Sequence, residues 1–321
     1  MYKKNKIDNN LFLKLNNNIL NDIYKNVNKN NRYILVDGSH VTMYKELDKY
    51  GFKYGSNKKT YTKCKISGIK DYNNNIPINY KINKDMNERQ GFIEQLEYVD
   101  CNDILIFDRG YPDNKLLKIL NDKNFNYIMR YKKSDLNVKF LIKNNLNEYY
   151  FNVNDKKNKV VKYIIDEKPY YLLTNLISMS IDELKNNYKK RWDIETHFKE
   201  LKYKTSIGNI TSKTENTVLQ ELYINNLIYI LNSYFKKIFI DEILLHDNDK
   251  YKINNSFSIN TLFKDILKIL FFEDLNKKSF NTILKYIIIV INVKFFIQCV
   301  RKKYERVIKG PVNNWKLKSI K

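Results

Sequence analysis

Two kinds of apolar pattern follow one another along this chain, and the changes between them divide it. Residues 1–30 are polar and rich in Asn, with a helical stripe of Leu11, Leu15, Ile19 and Ile23 that predicts a short N-terminal helix or arm. From Tyr33 the run YILVDGS is continuously apolar and ends in an acid and a glycine, as expected of a buried central strand whose carboxylate, Asp37, emerges at its end. The stretches Thr62 to Ile69 and Ile76 to Ile82 flank the turn-forming DYNNN and predict a hairpin. Helical periodicity follows in NERQGFIEQLEYV. DILIFDRGY then repeats the first pattern, with Asp108 at the strand end, and NKLLKILNDK and NYIMRYK add a helix and a strand. Strand, hairpin, helix, strand, helix, strand is a mixed α/β order.

Between about Ser134 and Leu176 the runs KFLI, EYYFNV, KVVKYII and YYLLTNL read as β without helical period. A β-rich insertion over 134–176 is therefore expected between two parts of a core, 31–133 and 177–235. Helical periodicity returns at Ile181 and runs, past a polar loop near Asp247 to Asn255, to about Val300. Residues 236–321 are thus expected to form a helical, basic C-terminal region ending in a loosely packed tail. No internal repeat is visible.

Lys and Arg number 58 against 35 acids, a formal charge of +23 spread along the chain, which points to a polyanionic partner. Asn, Lys, Ile and Tyr all have AT-rich codons, so much of this composition reflects codon bias and the motifs must decide. Cys64, Cys101 and Cys299 are widely spaced with no C-x-x-C pair, which indicates neither a zinc site nor a disulfide framework and suits a reducing compartment. The start lacks a long apolar h-region, and the apolar run Tyr286 to Ile297 is broken by Asn292 and Lys294, so it reads as a buried helix and not a membrane span. An intracellular, soluble protein without a membrane partner is expected, in the cytoplasm or nucleoid of a prokaryote, or in a nucleus or viral factory otherwise.

The most informative stretch is YKKRWDIETHFKELK, where Tyr188, Arg191, Glu195 and Lys202 stand at offsets 0, 3, 7 and 14. At ~100° per residue they fall within an arc of roughly 60°, beside an apolar stripe of Ile194, Phe198 and Leu201. Bases and a tyrosine gripping phosphates around one metal-holding acid suit such a line. An ordinary charged face with an Arg191–Glu195 ion pair has the same spacing. Asp37 and Asp108, at the ends of strands expected to lie side by side, join Glu195 in a set of three carboxylates. Hard oxygen ligands without a His or Cys cluster select Mg²⁺ or Mn²⁺ over zinc. Two such ions about 3.5 to 4 Å apart can activate a nucleophile and stabilise the leaving oxygen of a phosphoryl displacement.

The pattern Tyr, two residues, Arg, three residues, Glu, six residues, Lys is complete here, and with it the chain resembles the DDE transposases of the insertion-sequence-4 type. The likeness extends from Tyr33 to about Phe235 and takes in DGS, SGIKD, the NER at Asn87 to Arg89, DRGYP, TNL, RWDIE and TSKTENTVLQELY, in the family's order. The resemblance implies a ribonuclease H-like mixed sheet flanked by helices, with a β-rich insertion and a helical C-terminal region. It implies that Asp37, Asp108 and Glu195 hold two Mg²⁺ or Mn²⁺ ions, and that Tyr188, Arg191 and Lys202, with Arg109 and Tyr111 beside them, contact DNA.

The activity implied is cut-and-paste transposition. A metal-activated water cuts at the element's end, the freed 3′-hydroxyl forms a hairpin on the opposite strand, and the reopened end is joined to target DNA. Double-stranded DNA, as terminal inverted repeats and target, is the implied partner, with a homodimer in the complex. Members of the group usually carry a larger helical DNA-binding domain ahead of the first aspartate, whereas 36 residues precede Asp37 here. Either the basic C-terminal residues Arg301, Lys302, Lys303, Arg306, Lys309 and Lys316 take that role or the chain is a shortened copy. Two rival functions follow: a catalytically silent DNA-binding derivative, and a structure-specific nuclease on the same core. Three further residues carry expectations outside the site: His40 as a loop residue, His197 on the surface and Trp192 in the core.

Overall fold

A computed structural model of the chain describes residues 9–25, 27–52, 61–84, 87–205, 207–208, 210–243, 251–253, 259 and 295–297. Eight strands make one mixed sheet: β1 (Tyr33–Tyr44), β2 (Tyr61–Asp71), β3 (Ile76–Asn83), β4 (Ile104–Phe107), β5 (Asn126–Arg130), β6 (Glu148–Val153), β7 (Lys156–Ile165) and β8 (Lys168–Thr174). Their order is β3-β2-β1-β4-β5-β8-β7-β6. The first five, an antiparallel meander followed by two strands parallel to β1, are the mixed sheet of a ribonuclease H-like fold. The strands of the expected β-rich segment extend this sheet, since β8 pairs antiparallel with β5.

Alternation along the central strands sends side chains to two buried faces. Ile34, Val36, Leu105, Phe107, Tyr127, Met129 and Leu173 face one way, against α1 (Asn9–Lys25), α2 (Glu88–Ile93), α3 (Asn114–Asp122) and α4 (Leu136–Lys143). Leu35, Ile106, Ile128 and Leu172 face the other way and are equally buried. There α5 (Ile181–Lys189) and α6 (Trp192–Lys204) pack, with the Phe198 ring over Gly68 of β2. The N-terminal stripe does form a helix, but Leu20 and Ile23 carry its buried face while Leu11 is exposed.

Turn chemistry falls to Asn and Asp because the chain holds only 8 glycines. Asn154-Asp155 and Asp166-Glu167 have positive φ at both positions, as two-residue hairpin turns require, and Asn124 and Asn145 take the left-handed conformation just past α3 and α4. KFLI, expected as strand, lies in α4: Asp135 caps it by accepting from the Asn137 N–H, and Val138 and Leu141 bury one face. Its exposed face is also apolar (Leu136, Phe140, Ile142), which hid the helical period.

Residues 1–234 and 235–321 form two compact units. Helix α7 (Glu215–Ile243) carries the helical expectation into the second. There β9 (Tyr251–Ile253) pairs antiparallel with β10 (Phe295–Ile297), so a strand stands where helix was expected before Val300. Cys299 and the basic residues from Arg301 to Lys316 lie outside the described residues. Among the described residues no helix is long and apolar enough to cross a membrane.

Candidate active site

The site lies where β4 stops. Parallel pairing of β1 with β4 ends at Val36 opposite Phe107, so the next residues, Asp37 and Asp108, come side by side just beyond it. Asp37 does not end its strand, contrary to the sequence expectation: β1 runs on to Tyr44, held by β2, with Asp37 opposite Gly68. The adjacent Gly38 N–H donates to Asp37 Oδ1 at 2.8 Å.

Glu195 arrives from α6. The stretch from Tyr188 to Lys202 is not one helix, because α5 stops at Lys189 and α6 starts at Trp192. Between them the N–H groups of Lys190, Arg191, Asp193 and Ile194 each bond three residues back, to Asn187, Tyr188, Lys190 and Arg191. This tighter 3₁₀ winding rotates α5 relative to α6 and takes Tyr188 off the line it was expected to share. The Ser180–Glu183 capping box starts α5, and a Lys70–Asp193 ion pair ties the first turn of α6 to β2.

Arg191 ends up at the centre, 4% exposed. Its Nη2 donates to Glu195 Oε1 at 2.6 Å, its Nη1 is 3.7 Å from Asp37 Oδ2, and its Nε is 4.0 Å from Asp108 Oδ1. Asp37, Asp108, Glu195, Arg191 and Lys202 line one cavity of about 430 Å³, together with Gly38, Ser39, Glu88, Phe198 and Lys199. Burial foremost, with the negative charges of Asp108 and Glu195, pushes the Asp37 carboxyl up to about 6 against the opposing Gly38 N–H and Arg191. Burial foremost, with Lys63, lowers the Lys202 ammonium.

Tyr188 and Tyr111 are buried and do not line the cavity. The Tyr188 ring lies 5.9 Å from the Arg191 guanidinium carbon, and the Tyr111 ring tilts against Phe107 at 5.2 Å. Neither hydroxyl has a hydrogen-bond partner among the described residues, and burial raises both phenols. Arg109 is exposed in the loop after Asp108. Arg89 clamps that loop, donating to the Gly110 carbonyl at 2.7 Å and the Tyr111 carbonyl at 3.0 Å.

Three expectations fail, the first because His40 lies not in a loop but within β1, opposite Lys65 of β2. His197 is buried, stacked on Tyr80 and hydrogen-bonded to its hydroxyl, with Tyr229 edge-on at 5.0 Å. Trp192 is 60% exposed, with the Arg191 guanidinium 5.1 Å from its ring. Sequence reasoning missed Glu88 and Lys199. Lys199 could have been found one turn past Glu195 on α6, whereas Glu88 was legible only as the middle of NER.

Three carboxylates from three separate elements converge on one cationic group, so the donor set is all hard oxygen, as a divalent ion of the magnesium type requires. Their convergence is on Arg191. Among the described residues no group of three His, Cys, Asp or Glu side chains stands ready-made around an ion. The chemistry fits, with the guanidinium as the group an ion would replace.

The mixed sheet thus brings three acids together in a cavity that two lysines also line. The family described as "Transposase DDE domain" matches residues 29–231. The chain belongs to this DDE transposase family. It is 26% identical over 149 residues to the Synechocystis sp. protein named "Putative transposase for insertion sequence element IS4SA", a match spanning 43% of each chain. The chain thus spans less than half the length of that relative. It is also similar, with 14% identity and a TM-score of 0.45 over 80% of this chain and 57% of the other, to the solved piggyBac transposase in a synaptic complex with hairpin DNA.

Proposed function

We propose that the protein is a cut-and-paste DNA transposase that cleaves element ends and joins the freed 3′ ends to target DNA, with Asp37, Asp108 and Glu195 holding two Mg²⁺ or Mn²⁺ ions. The observation that carries the reading is the convergence of these three carboxylates on one guanidinium inside a cavity that Lys199 and Lys202 also line. Ions bound there would lower the pKa of an attacking water and stabilise charge on the leaving oxygen.

The chain's own groups divide the remaining work. Arg191 offers a planar fork suited to two phosphate oxygens, so an ion taking the carboxylates frees it for DNA. Tyr188 backs the guanidinium and Tyr111 supports the loop behind Asp108, so both act through buried packing. Lys202, Lys199 and exposed Arg109 meet phosphates, and the exposed face of Trp192 offers a platform for an unstacked base. Terminal inverted repeats and target duplex are the substrates. Two element ends call for two sites, hence a homodimer in the DNA complex.

The test uses a labelled duplex carrying the terminal repeat that flanks the gene, with Mg²⁺ or Mn²⁺, and compares wild type with Glu195→Ala. Nicked, hairpin and joined products that disappear in the variant are expected. Binding without products would favour a silent DNA-binding protein, and cutting without joining a nuclease.

A further inference from the structure

We infer that Glu88 is a fourth carboxylate of the metal centre, reaching it from the face of the sheet opposite Glu195, with Lys65 as its counter-ion until an ion binds. The inference rests on the metal-site reading of Asp37, Asp108 and Glu195. Two helices bracket β1. Helix α6 lies over Gly68, the partner of Asp37, where a methyl group would stand 2.9 Å from the Phe198 ring. Helix α2 lies over Ser67, the partner of Gly38, with Gly91 close against the side chains of Ser67 and Asn83. Glu195 and Glu88 therefore enter one cavity from opposite sides of the strand that carries Asp37.

The Glu88 carboxylate lies across the two glycines that follow the two aspartates. A methyl group at position 38 would stand 3.0 Å from its Cγ and Oε1, and one at position 110 would stand 3.7 Å from its Oε2. Position 38 is thus a place where a side chain would crowd the carboxylate, and glycine leaves the room. Local structure fixes the approach. Asn87 caps α2 by accepting from the Gln90 N–H at 3.2 Å, which makes Glu88 its first residue, and neighbouring Arg89 grips the Gly110 and Tyr111 carbonyls. The same three residues, Asn87, Glu88 and Arg89, therefore aim a carboxylate at the site and fix the loop that carries Asp108.

In this structure Glu88 is paired with Lys65, itself largely buried on β2. A carboxylate held by an ammonium in the cavity that three more acids line is a ligand in reserve: hard oxygen, charged, and open to the same space. Outer groups that merely orient metal ligands typically change affinity by about 10- to 100-fold, so loss of a direct carboxylate should cost at least about tenfold.

The experiment measures Mn²⁺ bound by the full chain, by electron paramagnetic resonance, with and without the terminal-repeat duplex. Wild type, Glu88→Gln, Lys65→Met, the Glu88→Gln/Lys65→Met double variant and Asp108→Asn are compared. Glu88→Gln should weaken Mn²⁺ binding about tenfold, and Lys65→Met, which frees the carboxylate, should not weaken it. The double variant should bind as poorly as Glu88→Gln. Restoration of wild-type affinity in the double variant would overturn the inference, because Glu88 would then serve only to neutralise Lys65. If Asp108→Asn weakens binding and Glu88→Gln does not, the fourth-ligand role alone falls; if neither does, the metal-site reading falls with it.

Discussion

Arg191 donates from Nη2 to Glu195 Oε1 at 2.6 Å, four residues along the chain, and the same guanidinium lies 3.7 Å from Asp37. The pairing that on a bare helix would be an ordinary surface contact is here made by a buried guanidinium that serves a half-buried acidic cluster. Burial makes the difference, since exposed ion pairs contribute little and a buried charge stripped of its partner is costly.

An ion held by the three carboxylates would compete with Arg191 for the same oxygens. Replacing Arg191 with Met should destabilise the metal-free protein by about 1 to 3 kcal/mol, because three half-buried carboxylates lose their common partner while keeping part of their hydration. Millimolar Mn²⁺ should then raise the melting temperature more in Arg191→Met than in wild type. A smaller rise in the variant would show that the guanidinium helps to hold the ion.

Asp37 carries a pH signature. Its folded value of about 6 lies above the ~3.9 of an unfolded aspartate, so the folded state binds more protons between those values. Its contribution to stability is full below about pH 4 and is lost as pH rises through about 6. At neutral pH the charged group then costs on the order of 2 to 3 kcal/mol. Asp37→Asn should therefore melt higher than wild type at pH 7.5 in chelator, and close to it near pH 4. Equal melting temperatures at both pH values would contradict the assigned burial.

The docking of α2 depends on Gly91. A methyl there would stand 2.1 Å from Asn83 Nδ2 and 2.5 Å from Ser67 Oγ, so Gly91→Ala should cost about 2 to 3 kcal/mol by overpacking. Chemical denaturation measures this directly. A loss below half a kilocalorie would mean that α2 shifts freely, and that Glu88 and Arg89 are not held as described.

The Lys70–Asp193 pair anchors the start of α6. Asp193→Ala leaves the buried Lys70 ammonium unpaired, so it should destabilise more than the double variant Lys70→Met/Asp193→Ala, which removes both charges. Partial exposure of Asp193 keeps the single-variant loss to about 1 to 2 kcal/mol. A double variant less stable than the single would show that the pair is not the anchor.

What the sequence showed of the site, and what it hid, follow from how each signal is carried. Asp37 and Asp108 were legible because each closes a buried apolar run, and parallel pairing of those runs brings the acids together. Continuation of β1 past Asp37 was not legible, since it depends on pairing with β2 rather than on apolar content. Uniform winding at ~100° per residue puts Arg191, Glu195 and Lys202 together but misplaces Tyr188, because the 3₁₀ turn interrupts that winding. His197 and Trp192 were exchanged between surface and core for a related reason. Which side of α6 is buried is decided by Tyr80 and Tyr229, distant in sequence. Glu88 was hidden because its role arises from two glycines on other elements.

If Asp37, Asp108 and Glu195 hold the ions that move phosphoryl groups, exchanging the ligand atom at Asp108 must change which metal supports the reaction. Asp108→Cys replaces a hard oxygen with a softer sulfur ligand, which magnesium accepts poorly and manganese tolerates better. Cleavage of the terminal-repeat duplex by this variant should be lost in Mg²⁺ and return in Mn²⁺, with wild type active in both. Undiminished cleavage by Asp108→Cys in Mg²⁺ would contradict the claim.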